Sequence, residues 1–251
     1  MTMPPLPFPR LIARVVAGTL MTTVMLGLTG IGARSSSADE LTPTPSATSP
    51  AASSFPLRPG DQRPLIKVFH ERLMWLGYPV AGSEVVSRTY GPSTARALAS
   101  LEKKFWLPDD DYVTLKTWSR IRTLAGPVGV LPKTCTSADS ICISTEQKLV
   151  RWIVKGKVAM TADARFGLPG AATTRGTFSV ARKSRDHVSS LYRTAMPFSI
   201  FYHGGQAVHY SVYFKRDGYY GASRGCVNLR DLTKAKWLFN RVTVGGRVHV
   251  Y

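Results

Sequence analysis

The fold of the second half of the chain is decided by Leu149-Val150-Arg151-Trp152-Ile153-Val154-Lys155-Gly156-Lys157-Val158-Ala159-Met160. Apolar and β-branched residues dominate both ends of this stretch, and a Lys-Gly-Lys segment separates them. Two such runs joined by a short turn that contains glycine predict a β-hairpin.

Strand-like segments continue from this hairpin to the C-terminus. They are residues 176–180, 198–202, 207–211 and 247–251. Several short strands separated by glycine-containing turns predict a mainly β domain, either a sandwich or a partly closed barrel. One helix interrupts this pattern; it begins at Asp231 and its predicted inward face carries Leu232, Ala235, Leu238 and Phe239.

The segment before the hairpin, from Gly60 to Leu124, has helical periodicity instead. Apolar residues recur at intervals of three or four in three runs: Leu65, Phe69, Leu73 and Leu76; Thr94, Ala97, Leu98, Leu101 and Phe105; and Leu115, Trp118 and Ile121. Gly77 ends the first run, where a glycine commonly terminates a helix. We therefore predict a multidomain α + β protein, in which a small three-helix bundle precedes the mainly β domain.

The order of landmarks in the bundle carries a first resemblance. Leu-Gly-Tyr ends at Tyr78, Tyr-Gly-Pro-Ser-Thr ends at Thr94, Phe105 follows, and Thr-Trp ends at Trp118. This order resembles the three-helix peptidoglycan-binding domain found beside many cell-wall enzymes. Lys104 and Phe105 with Trp106 depart from the Phe-Gln-x-x-x-Gly segment of that family.

The resemblance makes Trp75, Tyr78 and Tyr90 candidate wall-binding residues. The residue types alone favour a different interpretation, in which Trp75, Tyr78 and Trp118 belong to the core. Both interpretations remain open at this stage.

The N-terminus has the pattern of an export signal. Arg10 and Arg14 precede a mostly apolar run from Val15 to Ala33, and small residues follow up to Ala38. The alternative is that this run stays in the membrane as an anchor, because it is close to the length of about 20 apolar residues that a span needs. We therefore expect an exported protein, in the cell wall or periplasm or anchored in the membrane.

The predicted organisation has five parts. These are a signal (1–38), a Pro/Ser/Thr-rich linker (39–59), the peptidoglycan-binding-like bundle (60–124), a connector containing Cys135 (125–140) and the mainly β domain (141–251). The linker is too poor in apolar residues to form a core.

The chain is strongly basic, with a formal net charge of +18 and a pI of about 10.2. It contains no zinc-finger spacing and no ribonucleoprotein-type aromatic motif, so we do not expect a nucleic-acid partner. In an exported protein, this charge favours retention near anionic wall polymers or a membrane surface. A solvated basic surface without a partner is the alternative.

Three cysteines leave one unpaired if a disulfide forms. Cys135 and Cys142 lie close together in a Ser/Thr-rich stretch, which favours a bridge between them. Cys226 is then a free thiol. A buried, inert Cys226, or one oxidised to another cysteine, is the alternative.

The surroundings of Cys226 favour catalysis. It lies in Ser223-Arg224-Gly225-Cys226-Val227-Asn228, downstream of His209, and a histidine can accept the thiol proton or stabilise the thiolate. This pattern resembles the signature of the L,D-transpeptidase catalytic domain, the YkuD-like family, written as His, a gap, then Ser/Thr-His-Gly-Cys. The resemblance extends over roughly residues 141–251, and it includes a Thr-x-x-Gly-x-Phe-like segment at 173–178.

The resemblance assigns roles to the motif residues. Cys226 is the implied nucleophile and His209 the implied base, while the carbonyl of Tyr210 fixes the imidazole tautomer. Backbone N–H groups of Gly225 and Cys226 are the expected oxyanion donors. Ser223 and Asn228 orient the loop.

Arg224 stands where the family usually has histidine. Arginine stays protonated, so it cannot serve as a base, but it can support the thiolate or the oxyanion. The alternative is that the exchange weakens the enzyme. His203 is a rival base, placed beside a Gly-Gly turn and further from Cys226 along the chain.

The reaction implied by the family is formation of 3→3 peptidoglycan cross-links through a Cys226 thioester, with release of D-alanine. No cofactor and no metal are implied, and acylation by carbapenems is expected. Two alternatives remain: an L,D-carboxypeptidase-type hydrolase that uses the same site, and a non-catalytic peptidoglycan-binding protein.

Overall fold

The computed structural model describes residues 54–251, which form a helical region followed by a β domain. The helices of the first region and the connector are α1 (Pro64–Trp75), α2 (Gly82–Ser87), α3 (Pro92–Phe105), α4 (Leu115–Ala125) and α5 (Lys133–Thr136). The three helices predicted from periodicity correspond to α1, α3 and α4. Helix α2 was missed because its six residues bury no side chain and therefore show no apolar spacing.

The helical region has its own apolar core. Fully buried side chains come from each of its three predicted helices: Ile66, Phe69, Leu73, Leu98, Leu101 and Ile121. Helix α1 ends as its glycine predicts, because Gly77 has φ +89° and the N–H groups of Gly77 and Tyr78 donate to the carbonyls of Met74 and Leu73.

The strands of the β domain are β1 (Ser140–Ser144), β2 (Leu149–Val154), β3 (Lys157–Arg165), β4 (Gly176–Ser179), β5 (Arg182–Val188), β6 (Ala195–His203), β7 (Gln206–Tyr210), β8 (Val227–Leu229) and β9 (Arg247–Val250). Within residues 54–251 they form one curled sheet in the order β4-β9-β1-β2-β3-β8-β7-β6-β5. The pairs β1–β9 and β7–β8 are parallel, and the other neighbours are antiparallel. The domain is therefore a half-barrel, which confirms the mainly β prediction in its partly closed barrel form.

Short helices lie beside the sheet. Between β7 and β8 come α6 (Val212–Asp217) and a 3₁₀ turn (Gly218–Tyr220), and α7 (Leu232–Arg241) follows β8. Helix α7 is the predicted helix after Cys226, and Ala235 and Leu238 are buried as expected. The prediction was wrong for Leu232, which is 47% exposed because the first turn of α7 faces solvent.

The disulfide between Cys135 and Cys142 is present, as predicted, and Cys226 is the free cysteine among the described residues. Cys142 lies in β1, where the sequence suggested only a loop, so the bridge fastens α5 to the sheet.

The helical region packs directly on the β domain. Lys104 of α3 is 1% exposed, and its Nζ lies 2.7 Å from Asp163 Oδ1 of β3; Arg230 also pairs with Asp163. Arg151 of β2 donates to the Trp75 carbonyl over 2.7 Å. These buried polar contacts fix α1 and α3 against the sheet.

None of the helices within residues 54–251 has both the length and the apolar composition of a membrane span. The predicted signal lies outside the described residues, as does most of the predicted linker.

Candidate active site

Neighbouring parallel strands bring His209 and Cys226 together. In the register of β7 and β8, Val208 is opposite Val227 and His209 is opposite Asn228. Val208 and Val227 both belong to the main core of the domain. Because side chains alternate along a strand, the residues on either side of these valines face the opposite side of the sheet. His209, Asn228 and Cys226 therefore share one face.

His209 is positioned as an acceptor of a proton. Its side chain is buried, and Nδ1 lies 2.7 Å from the carbonyl oxygen of Tyr210. A carbonyl oxygen only accepts, so Nδ1 carries the proton and Nε2 has the lone pair. Burial lowers the pKa of His209 to about 4, against smaller raising effects from Tyr210 and from a side-chain hydrogen bond with Asn228. The imidazole is therefore neutral near pH 7.

Cys226 lies in apolar surroundings. Its side chain packs against a small cluster formed by Met196, Phe201 and Ala207. Burial raises the pKa of the Cys226 thiol, and a hydrogen bond from the backbone of Ala207 partly counters this effect. The thiol and the imidazole are therefore both neutral near pH 7, and a neutral imidazole can accept a proton.

The loop before Cys226 is held in a defined shape. Gly225 has φ +103°, and a Cβ at this position would lie 3.0 Å from Gln206 Nε2. The Ser223 N–H donates to the Phe166 carbonyl over 2.8 Å, and the Ser223 hydroxyl donates to the Cys226 carbonyl. The positive φ therefore favours glycine at this position, a Cβ here would press on the Gln206 amide, and Ser223 ties the two ends of the motif together.

These groups open into a cavity of about 520 Å³. Its walls come from the β5–β6 connection, from β7 and from the segment between α6 and β8; they include Tyr192, Met196, His209, Tyr213, Arg224 and Cys226. Arg224 is exposed on the rim, and its guanidinium lies 4.6 Å from the centroid of the Tyr192 ring.

Arg165 is a cavity residue that the sequence analysis missed. It is 5% exposed, lines the wall and donates from Nη1 to the Gly218 carbonyl over 3.0 Å. It stands at the end of β3 with no motif around it, so only the tertiary structure reveals its position.

The remaining candidates lie elsewhere. His203 is exposed beside the β6–β7 turn and contacts the Phe178 ring, with 4.7 Å between centroids. Tyr78 and Tyr90 are 5% and 1% exposed. Trp75 donates from its ring N–H to the Ala125 carbonyl over 3.1 Å. Of the residues in the core interpretation, Tyr78 and Trp118 are buried, and Trp75 is half-buried against the same core.

Residues 54–251 contain no group of three or more His, Cys, Asp or Glu side chains arranged to bind a metal ion.

The fold and the site together define a half-barrel domain in which a cysteine and a histidine line the same cavity. Residues 138–250 match the family model described as the YkuD L,D-transpeptidase catalytic domain. This part of the chain is a YkuD-type L,D-transpeptidase domain, which confirms the resemblance drawn from its motif. The peptidoglycan-binding identity of α1–α4 stays a prediction.

Solved L,D-transpeptidases resemble the chain. The enzyme from Xylanimonas cellulosilytica is 25% identical, aligns over 77% of this chain and 96% of that one, and has a TM-score of 0.49. The L,D-transpeptidase from Stackebrandtia nassauensis is 20% identical, aligns over 78% of this chain and 97% of that one, and has a TM-score of 0.52. L,D-transpeptidase 3 from Mycobacterium tuberculosis, solved with a faropenem-derived adduct, is 21% identical over 45% and 60%, with a TM-score of 0.41. A search of curated proteins found no match.

Proposed function

We propose that this protein is an L,D-transpeptidase that cross-links peptidoglycan stems through a thioester on Cys226. The observation that carries the proposal is the neutral His209, whose tautomer is fixed by the Tyr210 carbonyl, on the same sheet face as the free thiol. The L,D-transpeptidase family acts on the cell wall, and the export pattern of residues 1–38 would deliver the domain there.

The first half of the reaction forms the thioester. Cys226 Sγ attacks the carbonyl between the third-position diamino acid and the terminal D-alanine of a tetrapeptide stem, while His209 Nε2 takes the thiol proton. Backbone N–H groups at Gly225 and Cys226 hold the oxyanion. The carbon–nitrogen bond then breaks, and the imidazolium returns its proton to the leaving amine of D-alanine.

The second half transfers the acyl group. The side-chain amine of another stem attacks the thioester, His209 accepts a proton from that amine, and the thiolate leaves with a proton from the imidazolium. The products are a 3→3 amide bond and the starting thiol. The apolar packing around Cys226 limits the access of water to the thioester, which favours transfer over hydrolysis.

Arg224 has a binding role in this proposal. Its exposed position over Tyr192 on the rim suits capture of an anionic stem better than support of the buried thiolate. Fixed positive charge there attracts stem carboxylates to the cavity without a change in protonation.

The first test is mass spectrometry of the protein after incubation with a carbapenem, with Cys226→Ala as the control. A covalent adduct on the parent alone is expected. No adduct on a reduced Cys226 would instead indicate a non-catalytic wall-binding protein.

The second test separates transfer from hydrolysis. Tetrapeptide stems are supplied with and without an amine acceptor, and the products are identified by mass spectrometry. A cross-linked dimer supports the proposal, whereas a tripeptide alone identifies a hydrolase. Arg224→His is the matched variant. If Arg224 binds the stem, this variant raises KM and changes kcat little, whereas a large rise in kcat would mean that the arginine weakens the catalytic step.

A further inference from the structure

A second groove lies between the helical region and the β domain, beside the active-site cavity. Its volume is about 600 Å³, and its walls come from α3 on one side and from α6 with the 3₁₀ turn on the other. Asp217 and Gly221 line both this groove and the cavity of Cys226. A polymer lying in the groove would therefore lead directly to the reacting thiol.

An exposed aromatic pair stands at this groove. Tyr220, which lines it, is 74% exposed, and Trp106 at the end of α3 is 57% exposed. Their rings meet edge to face, with 4.7 Å between centroids. Trp106 also has φ +56°, a left-handed conformation that bulky residues rarely adopt. Contiguous exposed apolar surface beside a groove is typical of ligand-binding sites.

The groove is also cationic. Lys103, Lys215 and Arg216 line it and are exposed. Arg216 pairs with Asp217, but within residues 54–251 no carboxylate forms an ion pair with Lys103 or Lys215. Two unpaired ammonium groups next to an aromatic pair match a ligand with apolar ring faces and carboxylates.

The groove is fixed in shape by the contacts behind it. The Lys104 ammonium is buried against Asp163, which also pairs with Arg230, so α3 is fastened to the β domain. Lys148 adds a hydrogen bond from Nζ to the Lys104 carbonyl over 3.0 Å. A groove that needs no rearrangement loses less entropy when it binds a ligand.

We propose that this groove, lined by Lys103, Lys215 and Tyr220 and bordered by Trp106 through its contact with Tyr220, binds a glycan strand of peptidoglycan and so presents its stems to Cys226. The sugar rings lie against Trp106 and Tyr220, and the carboxylates carried by the strand pair with Lys103 and Lys215. This assignment rests on the proposed function, and it places wall binding at the junction of the two regions rather than at Trp75, Tyr78 and Tyr90.

The test is binding of the full chain, carrying Cys226→Ala, to insoluble peptidoglycan from which attached anionic polymers have been removed. A Trp106→Ala/Tyr220→Ala double variant should lose about tenfold in affinity, as expected for exposed aromatic anchors. Lys103→Gln/Lys215→Gln should weaken binding in a salt-dependent way. Lys236→Gln, an exposed charge change on α7, is the matched control and should bind like the parent.

A second readout distinguishes a loss of binding from misfolding of the variants. The same variants should unfold in urea at the midpoint of the parent, which would show that a loss of binding does not come from misfolding. Trp106→Leu, which keeps an apolar contact with Tyr220 but removes the flat ring, should also lose binding.

Two results would overturn the assignment. One is unchanged affinity of the aromatic variants. The other is a parent protein that binds only walls still carrying anionic polymers, which would make those polymers the ligand. A failure of carbapenem acylation in the parent would count against the proposed function alone, because glycan binding is measured independently of the thiol.

Discussion

The half-buried Cys226 and the buried His209 should carry no charge at rest, and titration can test this. Burial raises the pKa of the thiol above its ordinary value of 9.0 and lowers that of the imidazole to about 4. A thiol with a pKa above 9.0 is ionised to less than about 1% at pH 7, two units below. A preformed thiolate–imidazolium pair would instead be almost fully ionised at this pH.

The assay is the ultraviolet absorbance of the thiolate, taken as the difference between the parent and Cys226→Ser. This control subtracts the tyrosines and the Cys135–Cys142 disulfide, which are common to both proteins. We expect no thiolate signal between about pH 5 and about pH 8. A difference close to one thiolate per molecule at pH 7 would refute the reasoning from burial.

The pH dependence of acylation gives an independent check. His209 must be neutral to accept the proton, so the rate constant for carbapenem acylation should rise as pH increases through about 4 and then stay level through neutral pH. An ion pair would behave differently on the alkaline side, because deprotonation of its imidazolium would remove the acid needed by the leaving group. A fall in rate between about pH 7 and about pH 8.5 would therefore contradict the neutral pair.

Three further predictions concern the structure around the site. Burial, with two nearby aspartates, raises the pKa of Glu102 to about 8, so its proton stabilises the native state below about pH 4.5 and this contribution is lost as pH rises towards 8. Glu102→Gln should remove this pH dependence of the free energy of unfolding in urea and raise that free energy by about 2–3 kcal/mol at pH 7. The exposed control Glu146→Gln should do neither. Asp163→Asn leaves the charge of Lys104 buried without its carboxylate, so it should lower the free energy of unfolding in urea by about 3 kcal/mol. Lys104→Met should lower it by less, and equal losses in the two variants would contradict a buried ion pair. Gly225→Ala forces a side chain into a left-handed position and against a neighbouring amide, so the rate of carbapenem acylation should fall by about tenfold or more; an unchanged rate would mean that the loop shape does not matter.

Local sequence patterns were sufficient to predict the helices and strands that bury one face. The runs that became α1, α3 and α4 showed their periodicity because each places apolar residues in a common core. Strand β5 was not predicted, since Arg182–Val188 is mostly polar and lies at the edge of the sheet, with no buried face to create an alternation. Strand β1 was missed for the opposite reason: all five of its residues are buried, so it shows no alternation either.

Lys104 shows what a local pattern could not supply. In sequence it was only a departure from the Phe-Gln segment of a peptidoglycan-binding family. In the structure it is 1% exposed and pairs with Asp163, which lies in the other region of the chain. A buried lysine needs a partner, but no periodicity indicates which distant carboxylate it is. Arg165 was missed in the same way, because its role depends on which segments meet at the cavity.

The gap between the histidine and the cysteine of the motif has a structural cause. Because β7 and β8 are parallel neighbours, β8 begins at the opposite end of the sheet from the end where β7 finishes. The chain must therefore cross back between Tyr210 and Val227, and a tight turn cannot join the two strands. That crossover contains α6 and the 3₁₀ turn, which form one wall of the groove between the two regions. The same crossover also carries Arg224 to the rim of the cavity. A shortened crossover would therefore disturb both the placement of His209 relative to Cys226 and the wall of the groove, so the spacing in the motif is a requirement of the fold.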